Sequence, residues 1–218
     1  MEQVSMFIWA IALGVGVLGA IPYVIWMVVT AVKKRWRKLS ILIVIPFATW
    51  GILTVTTGFM DRAAYRGYLS GIYDTEVDHG DPISEYHSTR AFNGDGFSIR
   101  TYRLSDSVRK RFESPDKSLL TQFPKRPSYR DDWDTEHWRE APFEPEHEDY
   151  LSFALGYYGG ENISVLSQHM NDEIRSALKR KGTFYSFFKK DHGNHPGNID
   201  MFIVDLAGGR IYEINNNT

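Results

Sequence analysis

The sequence predicts an α+β chain, an N-terminal two-helix transmembrane hairpin followed by an antiparallel sheet domain packed with one or two helices. Three observations in the 218 residues carry that expectation. Two runs, 6–32 and 39–59, contain no charged residue. Five of the 25 Lys and Arg residues sit between them, in Lys33-Lys34-Arg35-Trp36-Arg37-Lys38. Beyond residue 83, strand-like stretches alternate with Gly, Asn and Asp turn signals, and one stretch repeats apolar residues at helical spacing.

At about 1.5 Å of rise per residue, the two runs reach roughly 40 and 31 Å, enough for a hydrocarbon core of about 30 Å. Each can span. A basic turn between two spans is held on the cytoplasmic side, which puts both termini outside. The expected address is a bacterial cytoplasmic (inner) membrane with loop 33–38 cytoplasmic and residues 61–218 extracytoplasmic. A cleaved signal peptide fits poorly, because Met1-Glu2-Gln3-Val4-Ser5 lacks a basic residue and the apolar run is too long. Gly14-Val15-Gly16-Val17-Leu18-Gly19 spells a dinucleotide fingerprint but lies inside a lipid-spanning run. Its better reading is close helix packing: Ala12, Gly16 and Ala20 recur every fourth residue, a surface for the second span or for self-association. Pro22 and Pro46 are tolerated in membrane helices. Neither span carries an ionisable residue for an ion path, so the hairpin (1–60) reads as an anchor.

Charge divides the chain. Residues 1–60 carry +4 and residues 61–218 carry −6. A mildly acidic domain argues against nucleic acid as partner. The absence of cysteine excludes disulfides, thiolate metal sites and cysteine nucleophiles.

Residues 61–83 read as a juxtamembrane connector with a little helix over 62–69, and the domain proper as 84–218. Residues 84–92 and 97–104 form a predicted hairpin around Asn93-Gly94-Asp95-Gly96. Ser105 caps a short helix through Phe112, with Leu104, Val108 and Phe112 four apart. Five of the nine prolines fall in 113–149, so no long helix or central strand passes through it. A helix is expected over 150–158. Another opens at Asn162 or Ser164, with Leu166, Met170, Ile174, Ala177 and Leu178 on one stripe and Lys179-Arg180-Lys181-Gly182 at its end. Strands over 184–189, 199–206 and 210–214 complete the sheet.

Residues 131–149 hold nine acids and one Arg. Asp131, Asp132, Trp133, Glu136, Trp138, Glu140 and Phe143 make the candidate partner-binding surface, with aromatics as anchors and acids steering a basic protein partner. The alternative is a solvated loop whose tryptophans tuck into the core. Arg109-Lys110-Arg111 and Lys179-Arg180-Lys181 are solvated helix faces that could neutralise this stretch. Asp191, His192 and His195 are outside candidates for a metal, with Asp78, His79 and Asp81 possible additions, although Gly193 and Pro196 mark a connection between strands. Residues 93–96 resemble a calcium loop but lack its further acids. Pairs drawn from Glu136, Glu140 and Glu144 could serve glycoside hydrolysis, as any acidic stretch could. No nucleophile motif or phosphate loop occurs, and no cofactor is expected. The sequons at Asn162 and Asn216 matter only in a glycosylating host.

Gly94-Asp95-Gly96 after a strand, then Phe202 to Asp205 and a Gly208-Gly209 turn into Ile211-Tyr212, resembles small bacterial membrane-anchored proteins of unassigned function. The layout is similar to that of immunity proteins, which hold an inhibitory domain at the membrane. That resemblance implies toxin neutralisation by binding. A metal-dependent cell-envelope hydrolase and an accessory subunit of a larger membrane complex are the alternatives.

Overall fold

A computed structural model describes residues 2–77, 79–89, 95–156 and 165–217. The chain forms two compact units, Met1–Gly67 and Tyr68–Thr218. In the first, α1 (Glu2–Val32) and the greater part of α2 (Trp36–Tyr73) are joined at residues 33–35, so Arg37 and Lys38 of the basic stretch belong to the first turn of α2. Both are long and apolar enough to cross a membrane. The Tyr23 hydroxyl donates to the Leu42 carbonyl and ties one helix to the other.

The second unit is a six-stranded antiparallel sheet in the order β1-β2-β6-β5-β4-β3. Its strands are β1 (Ser84–His87), β2 (Gly96–Arg103), β3 (Asp134–Glu140), β4 (Thr183–His192), β5 (His195–Asp205) and β6 (Arg210–Asn217). The helices are α3 (Asp106–Glu113), α4 (Lys117–Gln122), α5 (Glu148–Ala154) and α6 (Val165–Ala177).

The sheet is covered on both faces. On one, Ile99, Tyr185, Phe187, Ile199, Met201, Ile203, Tyr212 and Ile214 join Leu151, Phe153, Met170 and Ile174 of α5 and α6 in a single core. On the other, Phe184, Phe188 and Phe202 meet the C-terminal end of α2, α3 and Trp138. The ring contacts there include Tyr73 with Phe202 at 6.3 Å, Phe112 with Phe184 at 5.4 Å and Phe188 with Phe202 at 5.8 Å. Alternate residues of β4 and β5 therefore point into two apolar layers, which is why consecutive apolar residues occur at Phe184-Tyr185, Phe187-Phe188 and Met201-Phe202-Ile203-Val204.

Several elements depart from the sequence reading. The connector is helical through Tyr73, and Leu69, Ile72, Tyr73 and Val77 are buried at 3% exposure or less. Gly67 and Gly71 each cost about 1 kcal/mol in a helix, but burial of this Leu, Ile and Tyr stripe outweighs them. β1 ends at His87, short of the expected 84–92; Asn93 and Gly94 of its turn, and Asn162 and Ser164 ahead of α6, lie outside the described residues. Leu166 is half exposed, off the buried α6 stripe that Met170, Ile174, Ala177 and Leu178 do form. The helix expected over 150–158 runs Glu148–Ala154, beginning two residues earlier and ending sooner, and residues 157 and 158 lie outside the described residues. Ser105 caps α3 as expected by accepting from the Val108 amide. α6 ends at Ala177, so Lys179-Arg180-Lys181 lies beyond its last turn, and Gly182, at φ +79°, serves the turn closed by the Thr183 amide on the Arg180 carbonyl instead of capping the helix.

Candidate binding surface on the acidic edge strand

Residues 126–149 run along one edge of the sheet as a 3-10 turn (Ser128–Arg130), strand β3 and a second 3-10 turn (Pro145–His147). Prolines keep these elements short, and β3 is an edge strand, where a proline-flanked segment can pair on one side only. It pairs with β4, with a register shift between Glu136 and Arg139.

The two tryptophans are not surface anchors. Trp138 is 1% exposed, and its indole N–H donates to the Ile72 carbonyl at 2.9 Å. Its ring stands edge-on to Phe112 at 4.8 Å and lies 5.7 Å from Tyr73. Trp133 is 9% exposed beneath the Arg130 guanidinium, 4.2 Å from its ring. Arg130 in turn pairs with the buried Asp200, which also accepts from Asn215 at 2.5 Å. A large apolar ring gains more from this packed interior than from water, so the aromatics fix the strand and leave the acids outside. Phe143 is half-buried against Tyr185, with ring centroids 4.5 Å apart.

Asp131, Asp132, Asp134 and Glu140 are exposed, and Glu136 is partly so. The compensating cations come from β4 and from Arg139 of β3 itself, which reaches Glu136 at 3.3 Å and pairs with Glu144, not from the basic runs Arg109-Lys110-Arg111 and Lys179-Arg180-Lys181. Lys190 pairs with Asp132, and this hydrogen bond holds the Asp132 carboxyl below its ordinary range. Lys189 lies 4.0 Å from Glu136. Burial opposes the charge on Lys189, but its bond to the Tyr150 hydroxyl and the nearby acids leave the amine above its ordinary value. Glu140 accepts from the Gly182 amide at 2.9 Å. Arg111 instead binds Asp74 and Asp116, and Arg180 binds Asp205.

His192 and His195 face each other across the two-residue turn of the β4–β5 hairpin, both exposed. Asp191 accepts from the Tyr150 hydroxyl at 3.0 Å. Among the described residues these three do not gather as a ligand set. His79 turns inward, stacked on Tyr102 and 2.9 Å from Glu213, and Asp78 lies outside the described residues.

In the first unit, Ala12, Gly16 and Ala20 do line the face toward α2, but the helices do not close on it. A groove of about 640 Å³ remains between this stripe and Ile45, Pro46, Thr49 and Trp50. A Cβ added at Gly16 would meet nothing within 4 Å. Trp9 and Tyr23 flank the stripe and line the same groove, where bulky rings work against close approach.

A polar pocket of about 380 Å³ lies between α6 and the β5–β6 turn, and the sequence reading missed it. Four of its charged side chains pair, Arg180 with the fully buried Asp205 and Arg210 with Glu173 at 2.5 Å, and Asp172 also lines it. Asp205 also accepts from the Gly208 amide at 2.9 Å. A side chain at 208 would collide with that carboxylate, so the Asp205 to Gly208 spacing is a turn clamp.

No family model, curated protein or solved structure matches this chain. Function therefore rests on the chain's own chemistry.

Proposed function

We propose that this chain is a bacterial membrane-anchored binding protein whose outward-facing α+β domain captures a basic protein partner, with toxin neutralisation by an immunity protein as the specific form. One observation carries the reading. Asp134, Glu136 and Glu140 lie on β3 and Asp131 and Asp132 on the turn that leads into it, a segment held by buried Trp133 just before the strand and buried Trp138 within it, so the charge is presented in a fixed pattern. A preorganised charged surface loses little entropy on binding and steers an oppositely charged partner. Two helices with charge-free runs over 6–32 and 39–59 around a basic turn support an inner-membrane address with loop 33–38 cytoplasmic.

The test is capture of basic proteins by the full chain, with Asp131→Lys and Asp134→Lys combined. Both side chains are exposed, so the variant keeps its fold and should weaken capture by roughly tenfold or more. Unchanged capture would move the site elsewhere.

The open groove beside Ala12, Gly16 and Ala20 favours a second reading, an accessory subunit that receives a partner helix. Replacing the hairpin by an unrelated one separates the two, because only the accessory subunit loses function.

A further inference from the structure

We propose that Glu144, Glu146 and His147 form a site for a zinc-class divalent cation at the end of the acidic strand. The proposal is independent of the binding reading above. Ligand atoms of the three side chains lie within 4.8 Å of one another, gathered by the 3-10 turn Pro145–His147. His147 is the observation that points to a ligand. Its side chain is 8% exposed, and Nδ1 is buried with no hydrogen-bond partner among the described residues. Buried imidazole nitrogens are normally satisfied, and this one stands 3.8 Å from Glu144 Oε2, too far to bond directly. Nε2 lies 3.8 Å from Glu146 Oε1. The ring is held by apolar neighbours, edge-to-face on Phe187 at 5.1 Å and 6.1 Å from Phe143, so the imidazole is placed without using its nitrogens.

The carboxylates complete the donor set from the solvent side, with Glu144 39% and Glu146 72% exposed. An ion can enter there. In its absence a guanidinium takes the cationic role: Arg139 pairs with Glu144, lies 4.0 Å from Glu146, and reaches Glu136 at 3.3 Å. A bound dication would release Arg139 onto Glu136. One imidazole and two carboxylates suit zinc better than magnesium or calcium, which prefer oxygen alone. Bonds of about 2.0–2.2 Å require the ligands to draw together by roughly an ångström, within reach of the exposed glutamates. Three protein ligands leave a fourth position for water or a donor from a partner.

The experiment is calorimetric titration of the full chain in detergent micelles with zinc, and with magnesium as control. One equivalent of zinc is expected, with no magnesium uptake at the same concentration. Glu146→Gln, at an exposed position, and His147→Ala should each weaken zinc binding by roughly tenfold or more. Arg139→Gln should tighten it by removing the competing cation. A His192→Ala, His195→Ala double variant should bind as the parent does. No stoichiometric zinc in the parent, undiminished binding in Glu146→Gln and His147→Ala, or loss only in the double variant would overturn the assignment.

Discussion

Truncating Trp138 to Ala would empty the space between Tyr73, Phe112 and the sheet, and strand the Ile72 carbonyl. The expected loss is about 3–5 kcal/mol, read as a shift of the chemical denaturation midpoint followed by circular dichroism. A change below about 1 kcal/mol would show that the indole does not hold β3 in place. Asp116 supplies a pH test. Its carboxylate takes hydrogen bonds from Arg111 at 2.7 Å and from the Leu119 amide at 2.8 Å, and these hold its pKa below the ordinary carboxylate value. A depressed folded value stabilises above the unfolded pKa, and the contribution is lost as pH falls through the folded one. Melting between about pH 7 and about pH 3 should therefore fall less steeply in Asp116→Asn than in the parent. Equal slopes would assign the acid sensitivity to other groups. At this scale the sequence showed which residues carry charge, but not where they point. Trp133 and Trp138 stand among acids in the chain, and their burial depends on the end of α2 and on Asp200, which are remote in sequence. Glu144, Glu146 and His147 left a local signal, a histidine one and three residues after acids, the farther of them across Pro145. It passed unnoticed beside the His192 and His195 pair.

At the scale of the element, β3 explains how an acidic strand remains folded. Asp134 faces solvent, Glu136 meets Lys189 and Arg139, Glu140 accepts from the Gly182 amide, and Trp138 faces the core. Reversing Asp131 and Asp134 acts on that outer face alone, so capture should weaken while the melting temperature stays within about 2 °C of the parent. A large drop in melting would mean that these acids are structural. The other five strands and α6 were readable because periodicity and turn chemistry are local, whereas β3 lies in a proline-broken acidic stretch where the sequence predicts no strand. The second layer was not. The phenylalanines of β4 and the 201–204 run of β5 could have signalled a sheet buried on both faces, but the covering stripe of Leu69, Ile72 and Tyr73 lay hidden in what looked like a connector.

For the whole molecule, the hairpin and the sheet domain are separate compact units, which suits an anchor and its cargo. Exchanging the hairpin for an unrelated two-span anchor of the same orientation should leave capture within roughly twofold, since no Asp, Glu, Lys, Arg or His lies in either span. The measurement that bears most directly on the account is the salt dependence of capture by the membrane-embedded full chain, parent against the Asp131→Lys, Asp134→Lys variant. The parent should retain a basic protein at low ionic strength and release it progressively as salt is raised from about 0.05 to about 0.5 M, while the variant should retain little at any salt. Capture by both proteins with the same salt profile would contradict the assignment of the acidic edge strand as the binding surface.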